Sequence, residues 1–141
     1  IEEMVEVIAG LEATAAELAC RRITDEEIAA IEVDHAAMVS AWQAGEEAEY
    51  FRINRTIHEA IMTASRNVTL SGIYMSLSGR IQRSRYKAHQ TAEQWERAVH
   101  EHERMIQLLH ARDGASLSPL MREHIRGKKQ VIAANYGEAD G

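Results

Sequence analysis

Three histidines and one asparagine have the residue types and helical spacing of a metal site. Asn54 and His58 lie one helical turn apart in the segment FRINRTIHEAI, on a face that is otherwise typical of a buried helix. His102 and His124 each lie at the centre of an apolar face on a later predicted helix. A buried imidazole needs partners for both ring nitrogens, and neutral imidazole is the commonest metal ligand. We therefore expect a shared divalent cation to satisfy the three histidines together.

The remaining histidines fit this pattern less well. His35 also lies on an apolar face, and Glu32 three residues before it forms the only E-x-x-H motif in the chain. A di-iron helical bundle needs two such motifs and two further inward glutamates, so that interpretation is weak. We expect His35 to line the core or a pocket. His100 shares its side of the helix with charged residues and should be solvated, and His110 lies to the flank.

Other chemistries lack their motifs. The chain contains neither the H-E-x-x-H motif of zinc proteases nor the nucleophile elbow of serine hydrolases. A metallohydrolase would need a general base near the metal, and we expect no acidic residue on the inward faces of the third, fifth and sixth helices. Glu12 on the first helix is the nearest candidate. The sequence therefore does not favour an enzyme.

The basic segment GRIQRSRYK leaves two interpretations open. Arg80 and Arg83 in this segment can belong to a solvated helix face, or they can reach inward and bind a carboxylate. The second interpretation makes both arginines candidates for effector binding.

The elements that position these residues are predicted to be six helices. Apolar periodicity predicts the first over about residues 1–22, with a stripe through Met4, Ile8, Leu11, Ala15 and Leu18. Later helix starts are marked by capping patterns, and Pro119 is expected in the first turn of the last helix. The predicted fold is an all-α, antiparallel bundle of six to seven helices, with successive helices as neighbours, around a central ligand or metal pocket. The predicted spans of the later helices are about residues 25–43, 46–65, 68–88, 92–111 and 116–136.

Composition limits the functional class. The 141 residues carry a net charge of −6, so this chain lacks the basic surface of a nucleic-acid binder. Its single cysteine, Cys20, permits no internal disulfide and fits a reducing cytoplasm. No apolar run is long enough for a membrane span, and we expect no signal peptide.

Several segments together resemble the effector-binding C-terminal domain, known as FCD, of the FadR branch of GntR-type bacterial transcription regulators. The resemblance covers nearly all of residues 1–141, and it implies a helical bundle that is usually dimeric. It also implies a DNA-binding winged helix-turn-helix N-terminal to this chain and absent from it. The matching segments are LEATAAELACRRITDEEI, INRTIHEAIMTASRNVTL, EHERMIQLLHARD and LMREHI.

The resemblance implies a metal site on the same three histidines. Metal-binding members of the family use an aspartate and a histidine one turn apart, then one histidine from each of two later helices, which correspond here to His58, His102 and His124. The aspartate is replaced by Asn54. Because an amide is neutral, we expect weaker metal binding and stronger attraction for an anionic effector.

The resulting hypothesis is a ligand-sensing domain that binds a divalent ion and a small carboxylate metabolite. Zinc is the favoured ion, with nickel or manganese as alternatives. Partners would be a second copy of the chain and, through the N-terminal domain, DNA. A metal-free sensor of the same fold and a helical metallohydrolase remain as alternatives.

Overall fold

Six α-helices form the part of the chain that the computed structural model describes. That part comprises residues 2–85 and 91–127, with the side chains of residues 81–85 left out. The predicted ends of the fourth and last helices, near Ala88 and Tyr136, lie outside it. The prediction of an all-α fold is confirmed. In chain order the helices are α1 (Glu2–Arg22), α2 (Asp25–Gln43), α3 (Glu47–Ala64), α4 (Val68–Arg85), α5 (Ala92–Ala111) and α6 (Gly114–Gly127).

Three helices begin where the capping patterns predict. Thr24 accepts a hydrogen bond from the backbone N–H of Glu27, whose carboxylate accepts one from the Thr24 N–H, which completes a capping box at α2. Thr91 and Gln94 make the same pair of bonds at α5. The Asn67 side chain caps α4 by accepting a hydrogen bond from the backbone of Leu70 at 3.0 Å. These signals are local, so the sequence alone predicts them.

The last helix begins earlier than its sequence pattern suggested. Asp113 accepts a hydrogen bond from the backbone N–H of Ser116 at 3.1 Å, and α6 starts at Gly114. Pro119 therefore lies in the second turn of α6, and the prediction that it falls in the first turn is wrong. The helix continues past the proline, although a proline at this depth has no N–H for the i→i−4 hydrogen bond.

The helices do not pack simply in chain order. The most extensive contact is between α1 and α6, followed by that between α2 and α3. Within the described residues, α1 makes no close backbone contact with α2, and α4 makes none with α5, so the expectation that successive helices are neighbours holds only in part. α1 instead contacts α3, α4, α5 and α6, which places it centrally in the bundle.

The buried face of α1 is therefore wider than the predicted stripe. Ile8 and Ala15 are buried as expected, but Met4, Leu11 and Leu18 are only partly buried. Because α1 touches four helices, burial extends around the helix to a second row of residues. That row includes Val5, Ala9, Glu12, Ala13, Ala16, Ala19 and Cys20. A charged side chain of α1, Glu12, thus faces the interior.

The core around α3 and α5 is aromatic at one end. The rings of Tyr50 and Trp95 lie 4.3 Å apart between centroids, a distance at which aromatic pairs stabilise a core. Burial raises the pKa of the Tyr50 hydroxyl.

Among the described helices, none has the length and hydropathy that a membrane span requires.

Candidate metal centre

The structure brings together the three histidines that face analysis singled out. His58 on α3, His102 on α5 and His124 on α6 are 4%, 1% and 3% exposed. Each offers one nitrogen, and these three atoms lie within 4.8 Å of one another. The ring centroid of His58 is 5.3 Å from those of both His102 and His124. We call these three residues the histidine cluster.

The closest approach within the cluster matches two ligands of one ion. The Nε2 atoms of His102 and His124 are 3.2 Å apart. Two nitrogens bound to one ion at about 2.0–2.1 Å are separated by roughly 3.0–3.4 Å at neighbouring positions. The separation of these two nitrogens therefore suits one divalent ion, and the ligand nitrogen of His58 lies within 4.8 Å of both.

Two glutamates fix the orientation of two of these rings. Oε1 of Glu12, on α1, accepts a hydrogen bond from Nδ1 of His58. Oε2 of Glu101, on α5, lies 2.7 Å from Nδ1 of His124. Because a carboxylate only accepts, each Nδ1 must carry the proton, and each neutral ring then has its lone pair on Nε2. The glutamates thus select the tautomer in which Nε2 is the ligand atom.

The sequence did not predict the contact of Glu101 with the histidine cluster, and it indicated Glu12 only as a possible general base. Glu101 is half-buried against His124, so the prediction that the fifth helix has no inward acidic residue is wrong. The signal was present, because Ala98, Met105 and Leu108 share its helix face and are buried. Glu12 lies between buried alanines on α1 and was considered only as a possible base.

Asn54 supplies the observation that best tests whether the residues fit a metal. It lies one turn before His58 on α3 and is 4% exposed. Its Oδ1 atom is buried and has no hydrogen-bond partner among the described residues. A buried carbonyl oxygen without a partner is unfavourable, and a cation would satisfy it. One such oxygen together with three imidazole nitrogens would make a donor set that suits first-row divalent ions.

His35 lies beside the cluster but outside it. Its ring centroid is 6.2 Å from that of His102, and its Nε2 lies 3.9 Å from Oε1 of Glu103. Its Nδ1 is buried without a hydrogen-bond partner in the described part of the chain. Burial lowers the pKa of the imidazole, although Glu103 partly opposes this effect. A neutral His35 therefore borders the cluster, and its role in lining a pocket stays a prediction.

The remaining candidate residues are exposed, or their side chains lie outside the described residues. Arg80 is exposed on α4, and the side chain of Arg83 lies outside the described residues, so a role for either in effector binding stays a prediction. His100 is exposed as predicted. His110 is exposed and pairs with Glu32, which directs that glutamate towards the surface and leaves the di-iron interpretation without support.

An open groove runs along the surface beside Glu101. It has a volume of about 690 Å³ and includes residues of both α5 and α6. The groove carries four glutamates against two arginines, so its charge does not favour an anion. Its lining residues are Glu93, Glu96, Arg97, His100, Glu101, Arg104, Leu120 and Glu123.

Comparison with known proteins agrees with the fold. E. coli McbR/YncC superposes with a TM-score of 0.86 at 20% sequence identity, covering 95% of this chain and 64% of that one. Streptococcus agalactiae GntR superposes with a TM-score of 0.79 at 18% identity, covering 92% of this chain and 57% of that one. The chain thus spans less than two thirds of either protein.

A match to a family gives the classification. The search of curated proteins finds no significant match. The family described as FCD domain matches residues 3–127, which include all six helices except the first residue of α1. The chain therefore belongs to the FCD domain family, the ligand-sensing regulatory domains of GntR-type transcription regulators.

Proposed function

We propose that this domain binds one divalent metal ion through His58, His102, His124 and Asn54, and senses a small organic acid at that ion. The observation that carries the proposal is the meeting of three buried imidazoles from three helices. The buried, unpartnered Oδ1 of Asn54 supports it as a fourth donor. Zinc is the favoured ion, and nickel or manganese also suits this donor set.

The residues at the candidate metal centre have separate roles in the proposed binding. The three histidines and Asn54 hold the ion, and Glu12 and Glu101 keep His58 and His124 in the binding tautomer. When bound, the ion would supply positive charge and open coordination positions for an anionic group. His35 borders the cluster and is our candidate for contact with the rest of the effector.

The charge of the groove beside Glu101 bears on the side of the cluster at which an anionic effector would bind. The groove beside Glu101 is mostly acidic and would repel an organic acid. We therefore place the effector on the His35 side of the cluster, between α2 and α5. Arg80 and Arg83 on α4 stay as candidates for a contact with a longer effector.

Effector binding at this position would act on the packing of the bundle. The ligands come from α3, α5 and α6, so an effector with different affinities for two packings would shift their populations. In the whole protein we propose that this shift is passed to an N-terminal DNA-binding domain, in a cytoplasmic homodimer.

A thermal-shift screen of small organic acids, with and without a chelator, tests the proposal. We expect some acids to raise the melting temperature of the zinc-loaded domain, because a ligand that binds only the folded state stabilises it. The chelator should abolish that gain. An equal gain in the presence of the chelator would contradict metal-mediated sensing.

A metal-free sensor is the second candidate, and one contact favours it. With Nδ1 of His124 donating to Glu101, its Nε2 can accept a hydrogen bond from Nε2–H of His102 at 3.2 Å. That bond would satisfy both atoms without a metal. Elemental analysis of the purified protein separates the two candidates: the metal-free sensor requires that zinc, nickel and manganese are all absent.

A further inference from the structure

Two glutamates support the histidine cluster from two different helices. Glu12 comes from the central helix α1, and its side chain is 5% exposed where it meets His58. Glu101 comes from α5, and its side chain is 20% exposed where it meets His124. A buried carboxylate is unfavourable unless nearby donors or positive charge compensate it. Both carboxylates are placed to interact with a cation through the rings they contact.

The proposed donor set itself contains no negative charge. Three neutral imidazoles and the amide of Asn54 leave the charge of a divalent ion uncompensated in a buried site. Charges interact strongly there because the effective dielectric constant is low. Glu12 and Glu101 lie one ring away and together carry two negative charges, which would balance the ion.

We infer that Glu12 and Glu101 are positioning residues of the metal centre, and that they supply the negative charge that Asn54 does not. They do so through His58 and His124, whose Nδ1 protons they accept. Hydrogen-bonded carboxylates behind metal-bound histidines raise the basicity of the ligand. This inference rests on the metal binding proposed above, and it revises the expectation that Asn54 leaves the centre strongly positive.

The two glutamates are not equivalent. Oε1 of Glu101 also accepts a hydrogen bond from Nε of Arg97 at 3.0 Å, and that arginine is 75% exposed. The guanidinium offsets part of the charge of Glu101, and the surrounding water screens it. Glu12 is enclosed by the bundle. Removing the charge of Glu12 should therefore weaken metal binding more than removing that of Glu101.

Glu59 is a matched control for the loss of one glutamate charge. It lies on α3 next to His58 in sequence, and its side chain is 29% exposed. Like Glu101, it accepts a hydrogen bond from Nε of an arginine four residues away, Arg55, at 2.7 Å. In the described structure it makes no contact with the histidine cluster, so its substitution removes one negative charge and weakens an arginine contact without touching the rings.

Zinc affinity of the metal-free domain, measured by competition with a chromophoric chelator, tests the inference. The variants are Glu12→Gln, Glu101→Gln, Glu59→Gln, and Asn54→Asp combined with Glu12→Gln or with Glu101→Gln. We expect the first two to bind zinc about 10- to 100-fold more weakly than the wild type. Glu59→Gln should stay within about twofold of the wild type, because exposed charges are screened. Adding Asn54→Asp should tighten zinc binding by the glutamine variants by more than the about tenfold expected when it is made in the wild type, because it returns a carboxylate to a site that lacks one.

The size of the gain from Asn54→Asp separates the charge of the glutamates from their effect on packing, because a purely structural defect would leave that gain the same as in the wild type. If Glu12→Gln does not fold, as judged by circular dichroism, Glu101→Gln, at the more exposed of the two glutamates, and its gain from Asn54→Asp carry the test. The inference is overturned if the folded glutamine variants bind zinc as tightly as Glu59→Gln, or if Asn54→Asp tightens their zinc binding no more than it tightens that of the wild type. A wild-type domain that binds no zinc, nickel or manganese overturns the proposed metal site as well.

Discussion

Asn54 is the residue at which the candidate metal centre departs from the donor set that the family resemblance implies. The resemblance implies an aspartate at this position. Its Oδ1 is buried without a hydrogen-bond partner in the described structure, whereas an aspartate there would bring a formal negative charge. The consequence is a site whose nearest negative charges lie on Glu12 and Glu101, behind the histidines.

Replacing Asn54 by aspartate should tighten metal binding. We expect the zinc dissociation constant of Asn54→Asp to fall by about tenfold, since a carboxylate ligand attracts a dication more strongly than an amide does. Competition with a chromophoric chelator measures it. An affinity equal to or weaker than that of the wild type would show that position 54 is not a ligand.

Cys20 should be unreactive in the folded domain. It is buried, and burial raises the pKa of its thiol to about 11. At pH 8 roughly one thiol in a thousand is then the reactive thiolate. We expect negligible alkylation by iodoacetamide at pH 8 in buffer and full alkylation in guanidinium chloride, both read by mass spectrometry. As this is the only cysteine in the chain, rapid labelling of the folded domain would place it at the surface.

At the residue scale, the sequence predicted the members of the histidine cluster better than the two glutamates behind them. His58, His102 and His124 each lie centrally on an apolar helical face. His35 does so too, so periodicity gives four candidates, and the family resemblance selects the three that meet. Glu101 lies at the edge of such a face, where burial depends on the neighbouring helix. Its contact with His124 is a tertiary fact that helical spacing does not contain.

At the scale of the helices, the ends are fixed by short-range and long-range contacts together. Arg112 caps α5 in the left-handed conformation, with φ of 53°. Its guanidinium donates hydrogen bonds to the carbonyls of Cys20 at 3.2 Å and Ile23 at 2.7 Å. A cation at the C-terminus of α1 also complements the helix dipole. These hydrogen bonds join residues about ninety positions apart, so no local sequence pattern predicts them.

Removing the capping box of α2 should destabilise the domain measurably. Thr24→Ala loses the side-chain acceptor for the backbone N–H of Glu27, and we expect a loss of about 1 kcal/mol in the free energy of unfolding. Urea denaturation followed by circular dichroism measures it.

Thr56→Ala is the matched control for Thr24→Ala. Thr56 is exposed within α3 and bonds only back to the carbonyl of Arg52 among its recorded contacts. Its replacement should change stability little, because alanine is the better helix former. Equal losses in the two variants would argue against a specific contribution from the cap.

At the scale of the whole molecule, the order of the helices in space explains why the site forms. α1 packs against α3, α5 and α6, which carry the three histidines, and contributes Glu12 to their centre. The sequence predicted six helices and an inward face for each of His58, His102 and His124. It did not predict that α1 packs against α6 rather than against α2, because that contact depends on shape complementarity across the bundle.

A metal that joins three helices should stabilise the folded domain as a unit. With free zinc at 100 times its dissociation constant, we expect about 2.7 kcal/mol of added stability. Differential scanning calorimetry with zinc and then with excess chelator would show the melting temperature rise and fall. His124→Gln should lose this response, whereas His110→Gln, at an exposed pair with Glu32, should keep it. A response that survives in His124→Gln would contradict a site shared by the three helices.

The most direct test of the central claim is a calorimetric titration of the metal-free domain with zinc. The account predicts one zinc ion per chain for the wild type and for His100→Gln, whose side chain is 70% exposed on α5. It predicts at least a hundredfold weaker binding for His102→Gln, two residues further along the same helix, because His102 is 1% exposed in the cluster and about a tenfold loss is expected even from a residue behind a ligand. Equal affinity in the two variants, or no binding by the wild type, would contradict a metal centre built on His58, His102 and His124.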